Sequence, residues 1–463
     1  MIPLALMMTS LGTAVGADAP ASTAAAAQAP SIPNEEYTLD NGLQVILAPD
    51  DSTPIVFVQV WYKVGSADEK PGLTGFAHLF EHLMFQGSEH TGPEYFTPLQ
   101  KIGGEVNGST SFDRTEYHEQ VPSQYLPLAL FMESDRMGWF LPALDQSKLD
   151  NQRQVVLNER RQNYENPPYG SAMLDLYAAA WPEGHPYHHM PIGSAADIEH
   201  ADLASVQGFF KTWYLPNNAS LVISGSFDEK QAKALVEKYF GAIPKGTDPQ
   251  HATAQAAAIP QNKVIREYQD VPERKFWAAW ISPKLYAPGD ADLDLLSMVL
   301  AGGKDSRLYQ VLVKDKQIAK DISARQFSMG LGSLYILSGT AAKGHTTDEV
   351  LEEADQVIGH LLSDQPPTDE EIQAAKSSYE VGFYQGLTTV TGKGMQLSSY
   401  NAMAGTPDYM AKDLARYQQA TTDDVVSWGQ KVLRQPRVLL HIWPLADKPA
   451  DAPADAPQDE ENK

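Results

Sequence analysis

No cysteine occurs among the 463 residues, and this one absence removes disulfides, thiolate nucleophiles and thiolate metal sites together. Any metal must then be held by histidine, aspartate or glutamate. Positive charge is also scarce: 35 Lys and Arg stand against 59 Asp and Glu, for a formal net charge of −24. That balance runs against duplex binding, which needs concentrated positive charge. Long apolar runs are missing too, since no segment approaches the roughly 18 apolar residues that span a bilayer. What remains is 43% hydrophobic residues in a chain too long for one ordinary core, which predicts two or three domains.

The N-terminus, MIPLALMMTSLGTAVGADAP, reads as the apolar core and small-residue cleavage site of a secretory signal over residues 1–17, although no Lys or Arg precedes it. Export, to a periplasm, is the expectation. Residues 18–34 read as an Ala/Pro linker. The acidic, Pro-rich repeats of residues 447–463 cannot bury a core and read as a disordered tail. Between them, Asn41-Gly42 marks a turn between strands in YTLDNGLQVILAPD, and PIVFVQVWYKVGS supplies another strand. A helix is predicted over about Thr74 to Gln86, a strand pair in EVNGSTSFDRTEYHEQVP, and long helices from Pro127 until Asn166-Pro167-Pro168 stops them. The helix-then-strand order of SVQGFFKTWYL and ASLVISGSF returns in TDDVVSWGQKVL and RVLLHIWPL, which predicts two domains of similar fold. We place them at 35–245 and 263–446, joined by a linker over 246–262. The class is α+β, each domain a largely antiparallel sheet packed with helices.

The run FAHLFEHLMF sets two histidines and a glutamate among apolar residues, where an unpartnered polar group costs about 1–3 kcal/mol. On a helix, positions i and i+4 share a face, so His78 and His82 stack one turn apart and can grip one ion. Imidazole suits zinc, and catalytic zinc takes three protein ligands, keeps one position for water and lowers the pKa of that water to about 7. Glu81 lies beside the same point as the general base that activates the water. The third ligand stays open. Glu159, in QVVLNERRQ, shares a helical stripe with Gln152 and Val155 or Val156. Glu165 and Glu119 are its rivals, and a salt bridge to Arg114 or Arg153 is the plain alternative for Glu159. His185, His188 and His189 in HPYHHM read as a loop fixed by prolines, because adjacent residues converge poorly on one ion. Gly103-Gly104 reads as a turn, since no phosphate-loop lysine follows.

The inverted H-x-x-E-H motif, together with GLTGFAHLFEHLMFQGS, GGEVNGSTSFDRTEYHEQVP, the helix bearing Glu159, HPYHHMPIGS and YLPNNASLVISG, resembles the pitrilysin family of zinc peptidases, which includes insulin-degrading enzyme and mitochondrial processing peptidase. The resemblance implies one zinc ion per chain on His78, His82 and Glu159, with Glu81 as base, and a chain forming half of a clamshell around an extended peptide. It further implies that Asn107, Ser109, Thr110, Ser111 and Phe112 lie on an edge strand where the peptide docks by β-augmentation. Two positions depart from the family pattern. Gln152 stands where many relatives carry a second glutamate. Val313 and Lys320 stand where relatives carry an arginine and a tyrosine that hold the peptide, so a homologous non-catalytic subunit is the expected source of both; Arg307, Tyr309 and Arg325 are alternative sources within the chain. The expected activity is zinc-dependent endopeptidase. A non-catalytic subunit that kept the fold, or a processing peptidase making one defined cut, are the competing readings.

Overall fold

A computed structural model describes residues 30–449. The signal-like segment, most of the Ala/Pro linker and most of the acidic tail lie outside the described residues. The first half runs β1 (Glu35–Thr38), β2 (Gln44–Pro49), β3 (Ile55–Tyr62), α1 (Phe76–Leu83), α2 (Phe96–Gln100), β4 (Glu105–Thr110), β5 (Thr115–Pro122), α3 (Leu126–Trp139), α4 (Gln146–Arg160), α5 (Ala172–Ala180), α6 (Ala195–His200), α7 (Leu203–Trp213), β6 (Ala219–Gly225) and α8 (Glu229–Phe240). The second runs β7 (Lys263–Gln269), β8 (Lys275–Ser282), α9 (Asp290–Ala301), β9 (Ala319–Phe327), β10 (Ser333–Ala341), α10 (Thr347–Leu361), α11 (Asp369–Gly386), α12 (Val390–Ala404), α13 (Met410–Gln419), α14 (Thr422–Leu433) and β11 (Val438–Pro444). Residues 244–262 between the halves form neither helix nor strand.

The sheets are orders β1-β2-β6-β3-β5-β4 and β7-β11-β8-β10-β9. Apart from the extra β1, they match strand for strand and sense for sense. In each, one parallel pair (β2 with β6, β7 with β11) is closed by a long crossover, and the other neighbours are antiparallel. The helix–strand echo seen in the sequence is therefore a repeat of topology. Alternation sets the layers. Val56, Val58, Val60 and Tyr62 of β3 enter the first core with α1, α3, α7 and α8, while Phe57, Gln59 and Trp61 face the other way. Phe276, Ala278 and Trp280 of β8 do the same in the second core.

The halves then exchange helices. Ala172, Leu176, Tyr177 and Ala180 of α5 pack on Trp277 and Ala279 of β8 and on Val438, Leu440 and Ile442 of β11. In return Leu397 and Tyr400 of α12 pack on Ile46, Ala48 and Val222 of the first sheet. At Gly394 the helix comes so close that a Cβ would lie 2.4 Å from the Phe57 ring.

Candidate metal centre

Helix α1 is shorter than the predicted stretch, eight residues, and still spans the motif. Phe76, Leu79, Phe80 and Leu83 are wholly buried, which fixes the rotation of the helix and turns His78, Glu81 and His82 to the opposite side. Helix α4 is capped by Asp145, whose carboxylate accepts from the Lys148 amide, and it buries Leu149, Gln152, Val156 and Leu157. A π-helical turn, Arg161–Glu165, ends it ahead of Asn166-Pro167-Pro168. Contact between α1 and α4 brings Glu159 over the histidines. Its Oε2 lies 3.3 Å from His82 Nε2 and 3.7 Å from His78 Nε2. The three donor atoms all lie within 4.8 Å of one another, the only such group among the described residues.

That spacing tests the fit of a zinc ion. Ligands at 2.0–2.1 Å in tetrahedral array stand about 3.3 Å apart, close to the two distances found. Protonation agrees. Burial, with the neighbouring His82 second, lowers His78 to about 4, so its imidazole is neutral and its lone pair is available. The hydrogen bond from His82, first among the causes, lowers the Glu159 carboxyl, which therefore stays ionised. Two imidazoles and a carboxylate suit zinc. The side chains are 13%, 22% and 33% exposed, so the cluster opens onto solvent.

The rival ligands lie elsewhere. Glu119 is fully buried and paired with Arg136, which it shares with Glu133. Glu165 pairs with Arg160. The plain salt bridges are not formed either: Arg114 bonds Ser109, and Arg153 bonds Asp150 and the carbonyls of Glu199 and Ala201. Gln152 is buried on the inner face of α4.

Glu81 accepts a hydrogen bond of 2.7 Å from the Thr110 hydroxyl. Burial pushes its carboxyl up, and Thr110 offsets part of that. Thr110 is the last residue of β4, and β4 is the outer strand of its sheet. Ser111 N–H bonds Arg114 C=O across the turn, so by alternation Val106, Gly108 and Thr110 direct their backbone groups away from the sheet. Asn107 Oδ1 holds the Gly108 amide at 2.9 Å. The expected edge from Asn107 to Phe112 needs correction at its far end. Ser111 and Phe112 lie beyond β4, and their carbonyls accept from Ser66 and Ala67. The Phe112 ring is buried, stacked on Tyr177 at 5.0 Å. Chain reversal at Phe112 and Asp113 ends the strand there. The Ser109 side chain also turns inward, donating to Glu116 at 2.7 Å.

In the second half, Val313 packs against the core from a π-helical turn, Tyr309–Asp315, and Lys320, on β9, pairs with Glu273 of the β7–β8 turn. Arg307 is committed to Glu371 and to the carbonyls of Gln365 and Pro366. Arg325 is exposed and lines a cavity of about 690 Å³ with Asp294 and Glu371. The histidines of HPYHHM part company: His185 stacks on Trp181, His188 bonds the Trp181 carbonyl, and His189 bonds Glu69. Glu69 is a residue the sequence reading passed over; a glutamate six residues ahead of the helix-opening Gly75 is the only signal it offers.

Comparison with known proteins follows the division into halves. Residues 44–189 match the model for Insulinase (Peptidase family M16), and residues 200–379 match the model for the Peptidase M16 inactive domain. The chain is 28% identical over 398 residues to a zinc protease of Helicobacter pylori, PqqE, covering 82% of this chain and 87% of that one. It is 23% identical over 417 residues to the mitochondrial-processing peptidase subunit beta of Lentinula edodes, covering 86% and 87%. A crystal structure of a protease from Helicobacter pylori superposes with a TM-score of 0.82 at 24% identity, covering 90% of this chain and all of that one.

Proposed function

The chain belongs to peptidase family M16, and on that premise we propose that it is a zinc-dependent endopeptidase acting on extended peptides or small unfolded proteins. The observation that carries the reading is the meeting of His78 Nε2, His82 Nε2 and Glu159 Oε2, with Glu81 on the same helix tied to the end of an outer strand. Held by those three atoms, zinc would supply a Lewis acid for the peptide carbonyl and a water of lowered pKa. The chain's own residues do the rest. The outward backbone groups of Val106 and Thr110 and the Gly108 carbonyl bind the peptide main chain as an added strand, with little demand on its sequence. Glu81 takes the proton of the attacking water on its carboxylate and returns it to the departing amine, as the C–N bond breaks and the C–O bond forms. Thr110 holds the Glu81 carboxylate in place for both transfers.

The chain is also proposed to work beside a homologous, non-catalytic subunit. Val313 offers no hydrogen-bond donor, Lys320 is paired with Glu273, and Arg307 is committed within its own half. A partner's arginine and tyrosine would hold the peptide instead. The leader-like N-terminus supports export, which cell fractionation tests. Cleavage of a quenched fluorescent peptide by the purified, zinc-loaded chain, beside Glu81→Gln, tests the reading. Activity that rises on adding the homologous subunit and disappears in Glu81→Gln is expected. A zinc-loaded chain that stays inactive with that subunit present would refute it, and full activity alone would refute the two-subunit arrangement.

A further inference from the structure

Helix α1 begins at Gly75, in the left-handed region with φ 88, and Gly75 has no side chain with which to cap the helix. A buried carboxylate does so instead. Glu69, its side chain wholly inaccessible, accepts from the Gly75 amide through Oε2 and from the Ala77 amide through Oε1, both at 2.8 Å. His189 Nε2 lies 2.9 Å from the same Oε2. The segment that follows His189 grips both metal-bearing helices. Gly193 lies against Gly75 so closely that a Cβ would sit 2.4 Å from the Gly75 Cα, and its carbonyl accepts from Arg160, next to Glu159, at 2.6 Å. The Ser194 amide bonds the Thr74 hydroxyl, and Asp197 accepts from the Thr74 amide and hydroxyl.

We infer that Glu69 and His189 are positioning residues, which lock α1 against the segment that also holds α4 and so preset the distance from His78 and His82 to Glu159. The inference rests on the zinc reading above but concerns residues that touch no metal. Its test compares the full-length wild type with His189→Ala, His189→Gln and Glu69→Gln. Zinc affinity is measured by chelator competition, kcat and KM by peptide cleavage, and melting of the metal-free chain alongside. Partners bonded directly to metal ligands are worth about 10–100-fold in metal affinity or activity; Glu69 and His189 act one step further out, so about tenfold is expected. His189→Ala should weaken zinc by that factor and lower kcat with KM unchanged. His189→Gln, whose amide can still donate to Glu69, should recover most of the loss. Glu69→Gln, which turns one acceptor into a donor facing backbone N–H groups, should do at least as much damage as His189→Ala. Unchanged affinity and kcat in a His189→Ala chain that only melts earlier would overturn the inference, as would equal losses in the Ala and Gln variants. Should Glu69→Gln fail to fold, the two His189 variants decide alone. A wild type that binds zinc yet cleaves nothing would sink the peptidase reading, while the affinity ratios would still decide the positioning role.

Discussion

The two halves share one strand order, yet among the described residues only the first brings together a group that could hold a metal, and the difference is concentrated in α1 and α9. Both helices follow the second strand of their half's common five-strand pattern, and both open on a left-handed glycine, Gly75 at φ 88 and Gly289 at φ 95. Counted from that glycine, His78, Glu81 and His82 correspond to Asp292, Leu295 and Leu296. Both leucines are wholly buried. A leucine buried in this way contributes about 1.5–3 kcal/mol, where a polar side chain needs a partner. The second helix is free to be a core element and runs to 12 residues; the first stops at eight. The second half thus buries leucines at the two positions where the first sets Glu81 and His82.

His82→Leu imports the residue of the second half and is the sharpest way to break this comparison. It should abolish zinc binding and cleavage while leaving the metal-free chain as stable as the wild type or slightly more so; metal analysis and denaturant unfolding check both. Glu81→Gln comes next, with zinc retained and kcat lowered about 10²–10⁴-fold, the usual contribution of a general base. Gly394→Ala tests the exchanged helix. Its methyl would collide with Phe57 and should cost about 1–3 kcal/mol, read from urea unfolding. A further test separates the halves by pH. Asp294, on α9, is raised to about 7, by burial first and by Asp290 against the lowering bond from Tyr417. Its folded value lies above its unfolded one, so the stability it contributes is full below about pH 4 and is lost as pH rises through about 7. Asp294→Asn should flatten that fall, measured as unfolding free energy against pH on the metal-free chain.

Local rules made much of this legible. Apolar composition marked β3 as a strand, and Asn41-Gly42 marked the first turn, because both depend on neighbours along the chain. The edge strand was legible up to Thr110 only. Phe112 looks like any strand residue until the turn folds it under Tyr177. The histidines of HPYHHM part to different partners, and nothing near them in sequence points to Glu69, 120 residues from His189.

The sequence by itself determined the pairing of His78 with His82 and the nearness of Glu81, since helical geometry brings residues three and four apart onto one face whatever the rest of the chain does. It also excluded thiolate chemistry. Only the tertiary structure set Glu159, rather than Glu119 or Glu165, beside the two histidines, because each has a suitable carboxylate and the choice depends on where α4 crosses α1. That crossing is set by contacts far apart in the chain, among them Arg160 on the Gly193 carbonyl and Gly193 on Gly75, and spacing along the sequence carries no information about them.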